Sequence, residues 1–156
     1  KIFIIAGNQE LYEEREMRGW KNINFLGRYG TIEIDGLKIG LIHEPYYQNR
    51  LRRENPELDY IFYGHTHKPW LEQDGHLFIA NPGTLGGVFY KACFAVLDTD
   101  TKKIEFFDIY DNWKKKSFFI SETNKQIQNF INNNIIFLQL DIRKLIIYIW
   151  LLLRRW

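Results

Sequence analysis

The chain holds four histidines, His43, His65, His67 and His76, and their chemistry has the widest reach of any residues in it. Neutral imidazole binds borderline first-row metals and serves as a general acid or base near neutral pH. His65 and His67 belong to the tetrapeptide Gly64-His65-Thr66-His67. A His-x-His pair in a loop can reach one metal ion or two adjacent ones, and the glycine before it allows a tight backbone turn. Alone, this spacing is weak evidence, because two histidines in a surface loop satisfy it equally well. His43 closes an apolar run, a place where a histidine is more often structural than functional. Asn8, after Gly7, would by itself be an ordinary loop residue. His76 follows Asp74-Gly75 and reads as a surface residue.

These positions gain weight from the elements before them. Ile2-Phe3-Ile4-Ile5-Ala6 is β-branched and aromatic, the pattern of a short buried strand closed by Gly7-Asn8. Residues 22–26 form a second such run. Residues 29–34 and 37–42 flank Asp35-Gly36, a pair suited to a turn with positive φ at both positions, so a hairpin is predicted whose second arm runs into His43. Residues 46–54 read as a polar, Arg-rich helix that ends before Pro56. Arg50, Arg52 and Arg53 would lie on its solvated face, with phosphate contact as the alternative. Tyr60-Ile61-Phe62-Tyr63 is a buried strand by composition, and it ends in the Gly-His-Thr-His loop. Residues 70–73 and 76–80 flank Asp74-Gly75, a second hairpin turn, with Trp70 starting a strand rather than touching a ligand. Residues 92–97 and 103–110 flank a third turn at 98–102. Asn8, His43 and the His65–His67 pair thus fall at the carboxyl ends of three separate strands. In open α/β sheets, ligands bind in the crevice outside those ends.

Composition bounds the rest. At 156 residues a single domain is the expectation, and 46% hydrophobic with 26% charged residues excludes disorder or a fibre as a whole-chain reading. A balance of 21 basic against 19 acidic residues, net +2, gives no whole-chain case for binding nucleic acid, and no such partner is expected. Cys93 is the only cysteine, which excludes an internal disulfide and a Cys-rich zinc module and agrees with a reducing compartment. The first apolar run is too short for a signal peptide, so a cytoplasmic location is expected. The chain opens on Lys1 without a methionine, directly in an apolar run, which looks like the interior of a longer protein. Past Trp113 the composition shifts: Lys114-Lys115-Lys116, then five Asn within 124–134, then a run rich in Ile and Leu. Its longest unbroken apolar stretch, 145–153, is far short of the ~20 residues of a membrane span. The expected division is a domain over 1–112 and a helical or poorly ordered extension over 113–156. That extension could pack on the body, join a homo-oligomer or lie on a membrane surface.

The order of motifs resembles a known family. Gly7-Asn8, a strand ending in His43, Gly64-His65-Thr66-His67 and Asn81-Pro82-Gly83-Thr84 look like the second half of the calcineurin-like metallophosphoesterases. The likeness is greatest to small single-domain bacterial and archaeal phosphodiesterases and covers roughly residues 2–110. It implies an α/β sandwich of mixed strands and hairpins, present here as its C-terminal part, followed by an apolar helical tail. It also implies metal-dependent hydrolysis of a phosphoester, most of all a phosphodiester, with a small phosphoester as substrate. By motif, Asn8, His43 and His65 would bind one metal and His67 the other, with manganese first and nickel, iron or zinc as alternatives. Two such ions clamp a phosphoryl group and activate water for in-line attack. The residue types suit this: an amide oxygen is a neutral hard donor, and imidazoles bind borderline metals without cancelling their charge. Histidines must be neutral to bind, so metal affinity should fall below about pH 6.5.

The sequence departs from the family at three points. The family's Asp-x-His strand end and Gly-Asp motif, which supply the first metal's other ligands and the bridging Asp, are expected to be absent from all 156 residues. The tail supplies neither, so a circular permutation is not the explanation. Gln9 stands where larger members carry a leaving-group histidine, as in the small phosphodiesterases. Glu44 follows His43 where glycine is common, and could accept from an imidazole N–H, repel an anionic substrate or point away. Thr84 replaces a usual serine and keeps the hydroxyl. With half of the metal set missing, the isolated chain should turn over weakly or not at all. A protein-binding scaffold of the retromer-subunit type, which shares this fold, and an inactive truncated product are the alternatives.

Overall fold

The computed structural model describes residues 1–7, 21–87, 89–109, 115–116 and 144–147. Strand β1 (Ile2–Ile4) pairs in parallel with β2 (Ile23–Phe25). Strands β3 (Tyr29–Ile34) and β4 (Leu37–Ile42) form the predicted hairpin. Its two turn residues, Asp35 and Gly36, have φ of 51° and 76°, both in the left-handed region that a type I′ turn requires. A short 3₁₀ turn (Pro45–Tyr47) and helix α1 (Gln48–Glu54) then cross over to β5 (Tyr60–Tyr63), which lies parallel to β4. Strands β6 (Trp70–Asp74) and β7 (Leu77–Asn81) follow as a second hairpin. Asp74 pairs with Leu77, so the turn residues are Gly75-His76 rather than Asp74-Gly75, one position later than the sequence suggests. Gly75 takes φ of 63°, the first-position glycine of a type II′ turn.

These strands assemble into a five-stranded mixed sheet in the order β3-β4-β5-β7-β6. A second, antiparallel sheet contains β8 (Cys93–Asp98), β9 (Lys103–Asp108), β10 (Lys115–Lys116) and β11 (Lys144–Ile147), in the order β10-β9-β8-β11. The β8–β9 turn is closed by the Asp98 carboxylate, which accepts from Asp100 N–H at 3.1 Å and Thr101 N–H at 2.9 Å. Most of the extension read from sequence as helical or poorly ordered lies outside the described residues. Where it is described beyond 116, it is a strand: Leu145-Ile146-Ile147 pairs with Val96 and its neighbours on the open side of β8. A short apolar run of this kind fits strand and buried helix equally, and here a free sheet edge decides between them.

Alternation along the strands builds two cores. Leu37, Ile39, Leu41, Tyr60, Phe62 and Ala80 face the second sheet and pack with Ala95, Leu97 and Phe106, while Phe3, Ile5 and Leu26 close one side. Ile42, Ile61, Leu77 and Ile79 point to the opposite face and meet Leu51 of α1 and Leu58. The central sheet therefore has a sheet on one face and a helix on the other, the α/β sandwich the sequence implies. A glycine sets how closely the helix approaches. A Cβ on Gly40 would stand 2.6 Å from Leu51 Cδ2, so a larger residue there would require the buried Leu51 side chain to move. No helix among the described residues is long and apolar enough to cross a membrane.

Candidate metal site at the parallel strand ends

Strands β4, β5 and β7 run parallel and adjacent, so their carboxyl ends open at the same edge of the sheet. His43 follows β4, Gly64 to His67 follow β5, and Asn81 to Thr84 end β7. Three segments far apart in sequence meet there by topology alone. His43 is buried and its carbonyl accepts from Gly64 N–H at 3.0 Å, tying the first two ends together. The His43 and His65 rings then meet edge to face, with centroids 5.4 Å apart and planes at 86°.

The loop that carries the histidine pair is strained and held. His65 and His67 have φ of 65° and 58°, left-handed values that side chains with a Cβ rarely adopt and that cost roughly 1–3 kcal/mol each. Between them Thr66 N–H donates to the Gly64 carbonyl at 2.7 Å. Asn81, fully buried, holds this conformation from below. Its amide nitrogen donates to the Gly64 carbonyl at 3.0 Å and to Thr66 Oγ1 at 2.8 Å, and its amide oxygen accepts from Gly83 N–H at 2.8 Å. The sequence shows Asn81 only as part of a turn; its role as clamp depends on the β5–β7 pairing, which local sequence does not reveal. Asn81→Ala should therefore cost about 2 kcal/mol, because the buried Gly83 N–H loses its partner and the buried Gly64 carbonyl keeps only its bond from Thr66 N–H. Chemical denaturation of the two proteins measures this, and a difference below about 1 kcal/mol would refute the clamp.

Neighbouring residues are already engaged. Tyr46 is exposed, and hydrogen bonding to Tyr47 first, with partial desolvation and the Glu44 carboxylate adding to it, pushes its phenol well up. The Glu44 carboxylate thus lies close enough to Tyr46 to act on its hydroxyl. Tyr63, just before the loop, is also pushed up, by burial and then by Glu72. Arg50 pairs with Glu54 and Arg52 with Asp74, so both lie on an ion-paired helix face and neither is directed to the histidines. Thr84 does not offer its hydroxyl to the surface. It is buried, and its Oγ1 has no hydrogen-bond partner among the described residues.

Asn8, the fourth expected ligand, lies outside the described residues. The His67 ring lies against Phe89, at 5.2 Å between centroids. Among the described residues no three His, Cys, Asp or Glu side chains gather as a metal cluster. The His43–His65 spacing, 5.4 Å with planes at 86°, lies in the ordinary range of an edge-to-face ring contact. Against the expectation that the chain has no Asp-x-His, Asp74-Gly75-His76 spells one, but it is not part of this site. It is the β6–β7 turn, at the opposite end of β7 from Asn81.

The fold and the strand-end histidines define a phosphoesterase-type α/β domain. The family model of the calcineurin-like phosphoesterase superfamily domain matches residues 1–102, and the chain belongs to that superfamily. Among solved structures, an archaeal phosphodiesterase is 22% identical, with a TM-score of 0.58, over 69% of this chain and 68% of its own. A conserved Streptococcus pneumoniae protein described as a predicted phosphoesterase is 20% identical, with a TM-score of 0.47, over 57% and 64%. Vps29 of Entamoeba histolytica, solved with zinc, is 19% identical, with a TM-score of 0.46, over 60% and 66%. The chain thus spans about two thirds of the length of each. No curated protein matches it.

Proposed function

We propose that this chain carries the histidine-bearing part of a metal-dependent phosphodiesterase. The observation behind this reading is the meeting of His43 and His65 at one sheet edge, on a loop that Asn81 holds in a strained conformation. Backbone strain persists where the surroundings over-determine it, and it clusters at functional sites. In this reading His43, His65 and Asn8 would hold one ion and His67 would contribute to a second. The bound metal supplies charge neutralisation at the phosphoryl oxygens and activation of water. The chain's own residues orient the ligands: the His43 carbonyl fixes Gly64, and Asn81 fixes Gly64 and Thr66. Burial of His43 keeps one ligand ring out of bulk water. Manganese is the first candidate, and a small phosphoester is the substrate class.

Elemental analysis tests the reading. The folded chain, stripped and reloaded with manganese, should retain at least one ion per chain. A value near two would mean that the remaining ligands come from outside the described residues, and hydrolysis of an activated aryl phosphodiester should then depend on manganese. Retention of none by a folded sample would overturn the proposal and leave a non-catalytic scaffold as the role.

A further inference from the structure

Phe89 is the residue that neither the sequence nor the clamp explains. It is 85% exposed, yet its backbone is held at φ of 66°, a conformation a bulky side chain rarely adopts. Single exposed aromatics are common and need no account. A strained one that packs on a site histidine does, because burial returns nothing for the strain. Its contact is with His67, at 5.2 Å between centroids and 53° between planes. The loop that presents it is anchored at both ends. Thr84 bridges Ala92, and Cys93 N–H donates to the Thr84 carbonyl at 2.8 Å, so the base of the loop is the buried end of β7 and the start of β8. Tyr90, 43% exposed, stands beside Phe89 in sequence, and the exposed Lys68 and Lys91 flank the histidine and the loop.

We propose that Phe89 is a specificity-determining residue whose exposed ring stacks on a flat aromatic group of the substrate, so that the site takes an aryl or nucleoside phosphoester rather than an aliphatic one. The inference rests on the phosphoesterase reading above and narrows it. In that reading His67 would hold a metal beside the phosphoryl group, and the Phe89 ring stands 5.2 Å from the His67 ring, within reach of an ester substituent. One strained ring with one neighbouring tyrosine is a platform for a single ring system; a protein interface needs on the order of 800 Å² per partner. Stacking of a base on an aromatic side chain is worth roughly tenfold or more in affinity.

Calorimetric titration of the full chain in excess manganese tests this with adenosine 5′-monophosphate, phenyl phosphate and ribose 5-phosphate, which share a phosphate monoester. Adenosine monophosphate should bind about tenfold more tightly than ribose 5-phosphate. Phe89→Ala should abolish that ratio without weakening ribose phosphate, and Phe89→Tyr should keep it. A matching gain for phenyl phosphate assigns the preference to any aryl face; a gain for the nucleotide alone assigns it to nucleobases. If ribose phosphate binds but the nucleotide gains nothing, or if Phe89→Ala weakens both ligands equally, the role of Phe89 is refuted and the phosphoesterase reading stands. If none of the three monoesters binds, the role of Phe89 is refuted, and manganese retention alone then decides the phosphoesterase reading.

Discussion

Gly83→Ala should destabilise the chain by about 3 kcal/mol, as the sum of an overpacking cost and a backbone cost. A Cβ at Gly83 would stand 2.2 Å from Cys93 Sγ, far inside any contact that side chains make. Cys93 cannot yield, because it is buried and its thiol already lies 3.5 Å from the Pro82 carbonyl. The φ of Gly83, 89°, is open to glycine and strained for alanine, so part of the cost would remain even with room for the methyl group. The consequence reaches the site, since Gly83 N–H donates to the same Asn81 amide that clamps the histidine loop. Urea unfolding of wild type, Gly83→Ala, Cys93→Ala and the double variant resolves the two parts. Removing the thiol should relieve the steric share, giving a coupling above about 1 kcal/mol, and leave the φ cost in place. A Gly83→Ala protein within about 0.5 kcal/mol of wild type would show that the turn simply shifts.

The same residues show which parts of the fold are local enough to read from sequence. Asp35-Gly36 announces its hairpin because both turn positions demand a left-handed φ, and they have it. Asp74-Gly75 announces a hairpin but not its register, because the type II′ turn needs only one glycine and so allows Gly75-His76. The histidines are legible as strand-end residues. Their meeting depends on β4, β5 and β7 lying side by side, and β7 rather than β6 pairs with β5, a choice no local pattern encodes. Asn81 and Phe89 were the least legible. One works through bonds to a loop 15 to 17 residues away, the other through a backbone angle and a ring contact across 22 positions. Asp74-Gly75-His76 spells Asp-x-His, but strand direction puts it at the far end of the sheet from His43 and His65.

His65→Gly separates binding from stability more cleanly than an alanine variant. His65 is exposed and has φ of 65°, which glycine adopts freely, so the folded backbone gains relief. Against that gain stand the lost ring contact with His43 and the greater freedom of glycine in the unfolded chain. The net change in stability should lie within about 1 kcal/mol of zero. Metal affinity should move far more. Loss of a group that merely orients a ligand already costs 10- to 100-fold, so loss of the ligand itself should cost at least about 100-fold. Titration with manganese, read by the signal of the free ion, compares His65→Gly with wild type and with His76→Ala. His76 lies in the β6–β7 turn at the opposite edge, so its removal should leave affinity within about twofold, as for a surface change away from the site. If His65→Gly lowered stability by several kcal/mol and left manganese binding intact, the strained loop would be serving the fold, and the strand-end histidines would not be a metal site.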